Sequence, residues 1–436
     1  MKRPKPQVQQ ASSESRLVQI EKAVYGGSFL ARENGKAVFV PLTLPGEKAL
    51  VRIVDEKRGY STAEVEEIVS AASERIGPGC RHFGTCGGCH YQHTDYETQL
   101  KVKQAILRET LERAGAQAPD EIGLLAGKPW EYRNRIRLAF DQRGNAGYRG
   151  RRSHAVVPIE ECPIAAPLQV SAARATAEAL RKFAPSLRLS ELALFCNAEE
   201  TELLASVFVT THRIDRFDDL ARGLSERVPA LRGMELVTEG QPGRTSRQLA
   251  RWGDAAISYR AGSFDYRVGH GAFFQVNRWL AGELLEQVTA AHGGRLAWDL
   301  FAGVGLFARR LTAAFERVIA VESAPTATAA LAENLRATCG TAVKAETLNF
   351  LRRASKKDRP DLIVVDPPRT GLGTESTTLL GAMRAPSLVY VSCDPATLAR
   401  DLRALISSGY EVHSMTLADL FPQTFHLETV VNLRLS

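Results

Sequence analysis

With 436 residues, 44% of them hydrophobic and 24% charged, the chain carries enough apolar material for about three domains and is not disordered throughout. No apolar run approaches the ~18 residues that a membrane-spanning helix requires, which excludes a helical membrane protein. Basic side chains outnumber acidic ones by 56 to 49, a formal +7, and this excess favours a polyanionic partner.

The first sixteen residues are polar and rich in Gln, Ser, Lys and Pro. They read as a disordered tail, and without the apolar core of a secretion signal they point to a cytoplasmic protein. Short alternating runs follow at Leu17–Val24, Lys36–Val40, Ala49–Val54 and Ala63–Val69, punctuated by Gly26-Gly27 and Pro45-Gly46. They predict a small β-barrel over residues 17–72, SH3-like or OB-like, of a kind that binds oligonucleotides or serves as a spacer.

A central region, 73–265, begins with the Gly- and Cys-rich stretch Ile76–His93, which lacks hydrophobic period and reads as a ligand-held loop. Cys80, Cys86 and Cys89 follow C-x5-C-x2-C spacing, and Cys162 stands before Pro163. Three close thiols and a distant fourth make a four-sulfur metal site. Zinc and an iron–sulfur cluster both accept four thiolates, and His82, His90 and His93 keep zinc open. Gly84, Gly87 and Gly88 let the backbone wrap and point N–H groups at sulfur. A helix is expected at about Tyr96–Ala114 and another at Ser171–Phe183, in an α+β domain. Between them, Arg133–Arg152 holds seven arginines against one acid, Asp141. Arg133, Arg135 and Arg137 recur at period two, so a strand would present three guanidiniums on one side, either to nucleic-acid phosphates or to solvent.

From Arg295 onward strands and helices alternate, which predicts a mostly parallel, Rossmann-like sheet within a last domain, 266–436. Strands are expected at Leu296–Leu300, Arg317–Val321, Asp361–Val365, Ser387–Ser392, Glu411–Leu417 and Thr429–Leu435. The first runs into Phe301-Ala302-Gly303-Val304-Gly305, and the second ends at Glu322. Gly303 and Gly305 permit a tight turn under a ligand while the acid about 20 residues on accepts from ribose hydroxyls, so an adenosine cofactor is expected, with NAD still open. Asp366-Pro367-Pro368-Arg369 then forms a rigid shelf at the sheet edge, which a dehydrogenase does not need. Cys393 precedes a helix starting near Pro395, whose positive end favours thiolate; its plainer reading is a buried apolar cysteine.

In these residues the chain resembles the RNA uracil-5 methyltransferases that make 5-methyluridine with S-adenosylmethionine, over almost its whole length. Residues 17–69 look like a TRAM domain, and the cysteine spacing is similar to the family's 4Fe-4S site. Phe273-Phe274-Gln275-Val276-Asn277, Ser392-Cys393-Asp394-Pro395 and His426-Leu427-Glu428 look like its motifs. The resemblance implies a class I methyltransferase domain in which Gln275, Phe301, Glu322, Asn349 and Asp366 contact S-adenosylmethionine, Cys393 is the nucleophile and Glu428 the general base. On position alone Glu428 reads equally as a strand-edge acid, and Asp366 is the rival base. Leu306 stands where some relatives carry a cofactor-contacting Asn, and Ala302 where a Cys is frequent. The substrate implied is a single-stranded or loop uridine in RNA, 23S ribosomal RNA before transfer RNA, with no protein partner evident. An amino methyltransferase acting on adenine or cytosine, an inactive metal-stapled RNA-binding module and an NAD oxidoreductase are the alternatives. Cys196 and Cys339 read as packing residues.

Overall fold

The computed structural model describes residues 15–116, 118–183, 189–210, 216–238, 247–354 and 358–436. The chain divides into two compact units, one of residues up to 106 with 423–426, the other of residues 107–422 with 427–436. Most of the expected tail lies outside the described residues, but Ser15 and Arg16 already belong to the first strand.

In the first unit, strands β1 (Ser15–Val24), β2 (Ser28–Glu33), β3 (Lys36–Pro41), β4 (Lys48–Glu56) and β5 (Tyr60–Ser70) close into a barrel in the order β1-β2-β3-β5-β4. Alternation sets which side chains fill it: Val18, Ile20, Val38, Val40, Ala49, Val51 and Ile53 are all buried. Strand β2 breaks the period, because Phe29, Leu30 and Ala31 are buried in succession beside a register shift at Ile20–Lys22. That bulge hid the strand from pattern reading. Gly26 and Gly27, with φ of 103° and 83°, make the tight β1–β2 turn.

Helix α1 (Tyr96–Arg113) leads into the second unit, whose strand β6 (Gly123–Leu125) is followed by β7 (Arg135–Phe140), β8 (Ala146–Arg149), β9 (Val156–Pro158), α2 (Pro167–Phe183), β10 (Leu189–Cys196), β11 (Leu203–Val209), α3 (Phe217–Arg227), β12 (Leu231–Thr238) and β13 (Gln248–Gly253). Seven of these strands form one sheet in the order β13-β12-β11-β10-β7-β8-β9. Next comes the hairpin β14 (Ala256–Ala261) and β15 (Phe264–Gly269). The domain boundary expected at 265/266 cuts this hairpin. Its buried Ile257, Tyr259, Tyr266 and Val268 share one hydrophobic cluster with Ala297, Val318 and Val364 of the following sheet, so the hairpin packs with that sheet.

The remaining elements are α4 (Ala281–Thr289), β16 (Gly294–Leu300), α5 (Leu306–Leu311), β17 (Phe315–Glu322), α6 (Pro325–Asn334), β18 (Gly340–Lys344), α7 (Thr347–Arg353), β19 (Leu362–Val365), α8 (Gly373–Met383), β20 (Ser387–Ser392), α9 (Pro395–Ser407), β21 (Tyr410–Ala418) and β22 (Glu428–Leu435). The sheet order is β18-β17-β16-β19-β20-β22-β21-β6, parallel from β18 to β20, with β22 antiparallel to both neighbours. Strand β19, Leu-Ile-Val-Val, is buried along its whole length, as helices on both faces require. Chain order reverses between β16 and β19, and at such a reversal the loops leave to opposite faces and open a crevice at the carboxyl ends of the strands.

Candidate active site

The loop after β16 bends at once. Phe301 takes φ of 64°, a left-handed conformation that costs a bulky residue strain, and Gly303 and Gly305 follow at 56° and 93°. At Gly305 a Cβ would come 2.6 Å from Leu331 Cδ1, while at Gly303 it would meet nothing within 4 Å. One glycine is needed for packing and the other leaves open space. Glu322, ending β17, accepts from the Gly303 N–H at 2.9 Å and from the Ser323 and Ala324 N–H groups at 2.7 Å each. Leu306 is buried in the hydrophobic cluster, and its carbonyl accepts from Tyr266 Oη.

Asp299 was not singled out by sequence reasoning. It is fully buried in β16 and accepts from the Ala308 N–H at 2.8 Å, while its second oxygen has no protein partner. Burial pushes its pKa up to about 8. An acid inside an otherwise apolar parallel strand was the available signal.

Gln275 is buried at the end of a stiffly held segment. The Asn134 amide donates to Gln275 O at 2.7 Å and Tyr259 Oη at 2.9 Å, the Asn134 N–H donates to Val276 O, and Arg135 Nη2 donates to Ala272 O at 2.7 Å. Asn349 differs from its neighbours in being exposed, within the first turn of α7, where Arg352 donates to it at 3.5 Å.

At the other end of the crevice, three chain segments bring the expected chemical groups together. Ser392 pairs with Thr429 across β20 and β22, so Cys393 and Glu428 leave the same edge side by side. Asp366 follows β19, the parallel neighbour of β20. Cys393 is half-buried and Glu428 is 5% exposed. Burial first, then the nearby Glu428 and Asp366, push the thiol up to about 12, against an opposing pull from the Arg369 cation. Burial likewise drives Glu428 well above the usual carboxylate range, with Asp366 adding to it and Arg369 opposing, and raises Asp366 to about 7. The expectation that the start of α9 favours thiolate is corrected here. Asp394 caps that helix and takes the Ala396 and Thr397 N–H groups on its own carboxylate, so the positive end of the helix is already neutralised.

The expected row of phosphate-seeking arginines is also corrected in part. Arg135 spends its guanidinium on Ala272 O and on the Phe195 face, 4.4 Å away, and burial lowers its pKa to about 10. Arg137 is paired with Glu191 and stacked on Phe208. Arg133 donates to Tyr132 Oη at 3.3 Å. Arg135 and Arg137 leave β7 on one side, where aromatic neighbours and Glu191 meet them, while Arg133 lies before the strand.

None of the seven cysteines is in a disulfide. Cys80, Cys86 and Cys89 belong to the first unit and Cys162 to the second. The Gly88 N–H points at Cys86 Sγ, 3.4 Å away. Among the described residues no three His, Cys, Asp or Glu side chains are gathered closely enough to hold a single metal ion. His93 is no free ligand, because its ring bonds Thr43 O at 3.0 Å in the barrel unit.

A parallel sheet with a glycine turn and a strand-end acid at the reversal point, and a thiol between carboxyls two strands away, has the Rossmann-like architecture that enzymes with nucleoside cofactors use. Residues 95–435 match the family model described as tRNA (Uracil-5-)-methyltransferase, and residues 14–65 match that of the TRAM domain. The chain belongs to the RNA uracil-5-methyltransferase family and is a methyltransferase enzyme. It is 33% identical to a Halomonas elongata protein named 23S rRNA (uracil(1939)-C(5))-methyltransferase RlmD, over 97% of this chain and 90% of that one. It is 31% identical to a Thermotoga maritima protein named uncharacterized RNA methyltransferase, over 95% and 98% of the two chains. The crystal structure of Pyrococcus abyssi tRNA (uracil-54, C5)-methyltransferase with S-adenosyl-L-homocysteine superposes with a TM-score of 0.76 over 95% of this chain and 100% of that one, at 23% identity, and shows the shared fold. Family membership sets aside the NAD oxidoreductase and amino methyltransferase alternatives. Among the described residues no helix is long and apolar enough to cross a membrane.

Proposed function

We propose that this enzyme transfers a methyl group from S-adenosylmethionine to C5 of one uridine in 23S ribosomal RNA, through a transient bond between Cys393 and C6 of the base. The observation that supports this most is the meeting of Cys393, Glu428, Asp366 and Arg369 at one sheet edge. Uracil C5 alone is too weak a nucleophile for the transfer. Cys393, as thiolate, adds to C6 and drives the C5–C6 electron pair toward O4; C5 then takes the methyl, and the donor's bond from methyl to sulfur breaks. Glu428, as carboxylate, removes the proton left on C5, and the returning electrons re-form the double bond and expel Cys393. Burial raises the Glu428 carboxyl, which makes it the stronger proton acceptor once it is ionised. Asp366, beside its prolines, is better placed for binding than for proton transfer.

Gln275, Phe301, Gly303, Gly305, Glu322 and Asp366 would hold S-adenosylmethionine, which supplies an electrophilic methyl on a sulfonium cation. The unpartnered buried oxygen of Asp299 and the open space over Gly303 fit a hydroxyl-rich, cationic ligand. For Asn349, exposed on α7, only the resemblance supports the assignment. A stacked uracil hides C6, so the nucleotide must be rotated out of its RNA into the pocket, which favours a loop or single strand.

The names of the RlmD relatives favour ribosomal RNA; a transfer RNA uridine is the second reading, favoured by the description of the family model. RNA contacts in the arginine segment fall to Arg133, to Arg137, which is exposed although paired with Glu191, and to the exposed Arg143, Arg149 and Arg152, since only Arg135 is committed within the fold. For Cys80, Cys86, Cys89 and Cys162 as ligands of a 4Fe-4S cluster, with zinc as the competitor, only their spacing and the resemblance support the assignment, since no three such side chains are gathered among the described residues. The role of such a cluster would be to order the chain, because methyl transfer moves no net electron. Anaerobically purified protein should be brown, and colourless protein with one zinc would reverse the assignment.

The decisive experiment incubates the enzyme and S-adenosylmethionine with 23S or transfer RNA transcribed with 5-fluorouridine. Fluorine cannot leave as the proton does, so a denaturant-stable adduct on Cys393 should form with the true substrate. No adduct, together with unimpaired methylation by Cys393→Ala, would falsify the mechanism.

A further inference from the structure

The loop from Asp366 to Gly373 carries two groups of the proposed site, and α9, which begins just after Cys393, grips it along one side. Thr397 Oγ1 donates to Arg369 O at 3.1 Å, Arg400 Nη2 to Thr370 O at 2.9 Å, and the Leu372 N–H to Asp401 Oδ2 at 2.7 Å. The same Asp401 oxygen accepts from Tyr390 Oη at 2.9 Å, and the other accepts from Arg400 Nε at 2.9 Å. Asp401 is 1% exposed and Tyr390 is fully buried. Gly371, with φ of 71°, lies so close that a Cβ there would stand 2.5 Å from Asp401 Oδ2 and 2.6 Å from Arg400 Nη2.

A buried carboxylate is costly unless donors satisfy it, and here strand, loop and helix each supply one. Asp401 sits within the apolar stripe Leu398, Leu402 and Leu405 of α9, where a leucine would pack without that demand. What the acid does that a leucine could not is fix the backbone of the loop.

We infer that Asp401 is a positioning residue for methyl transfer: with Tyr390 and Arg400 it bolts the Asp366–Gly373 loop to the helix that follows Cys393, and so sets the place of Arg369 relative to the thiol. The inference rests on the proposed role of Cys393 as nucleophile. It has a direct readout at sulfur, because the Arg369 cation is the neighbour that favours thiolate.

The test follows alkylation of Cys393 by iodoacetamide between about pH 7 and 10 on the full chain, read by mass spectrometry of the Cys393 peptide, beside methylation kinetics. Asp401→Ala should move the alkylation profile to higher pH and lower kcat about tenfold to a hundredfold, with KM for S-adenosylmethionine held within about twofold. Asp401→Asn, which keeps an acceptor for the Leu372 N–H, should recover most of the rate. In an Arg369→Gln background Asp401→Ala should shift the profile no further, because two residues that act through one charge are not additive. An unmoved profile, or the same shift in both backgrounds, overturns the inference. If Asp401→Ala does not fold, Tyr390→Phe deletes one of the anchoring hydrogen bonds; it should shift the profile in the same direction by less, and no shift overturns the inference. Alkylation needs no RNA, so its outcome is distinct from that of the 5-fluorouridine trap.

Discussion

The two ends of the crevice treat their carboxyl groups in opposite ways. At the glycine-loop end, Glu322 takes three backbone N–H groups and is held in one orientation by the turn it serves. At the thiol end, Cys393, Glu428 and Asp366 are crowded where burial opposes charge on all of them, with Arg369 as the compensating cation. A satisfied carboxylate can be aimed, which is what recognition needs. A carboxyl raised by burial keeps its proton to a higher pH than an exposed one, the kind of perturbation that acid–base chemistry uses.

That contrast can be broken from either end. The largest effect is expected at the thiol end: Glu428→Gln should lower methylation by about 10²–10⁴-fold and let the methylated covalent complex accumulate, seen as retarded RNA in a denaturing gel. Because Glu428 raises the Cys393 pKa, the same substitution should speed alkylation of the free enzyme at pH 9. Faster alkylation with slower turnover separates the base from a merely structural acid. At the glycine-loop end, Glu322→Gln should raise KM for S-adenosylmethionine about tenfold with kcat nearly kept, measured by initial rates. A drop in kcat with unchanged KM would erase the distinction between the two ends.

The smallest effect concerns Asp299, which shares the burial of the thiol end yet lies at the root of the glycine loop. A carboxyl whose folded pKa is raised stabilises the fold fully below its ordinary value near 4, and that contribution is lost as the pH rises through about 8. Urea unfolding should therefore find the wild-type chain less stable at pH 8 than at pH 5, with a difference that shrinks in Asp299→Asn. An equal pH dependence in both would mean that Asp299 carries its charge in the fold.

The sequence made the places of Asp366 and Cys393 at the carboxyl edge legible because each follows a strand of distinctive pattern, Leu-Ile-Val-Val before Asp366 and Leu-Val-Tyr-Val-Ser before Cys393, while their roles came from the resemblance. Glu428 was harder, since its place depends on an antiparallel pairing between β20 and β22 that no local pattern states. Strand β2 was lost to a bulge, and β18, Gly-Thr-Ala-Val-Lys, to its short length and mixed composition. Arg135 shows the limit of period counting most plainly, since burial lowers its pKa while Arg137 stays exposed. Period two says which side a guanidinium leaves from, but not that Ala272 O and Glu191 wait there. The cap on α9 is a similar case: Asp394 could be read as a helix start, but its effect on the neighbouring thiol depends on which N–H groups it consumes.

The high pKa of Cys393 has a consequence beyond catalysis. Oxidants and stray electrophiles in a cell attack thiolates, and cysteines of low pKa are the ones they spoil. A thiol whose pKa burial raises is a poorer target for such attack. On the mechanism proposed above, the same burial means that each round begins with removal of the proton from that sulfur.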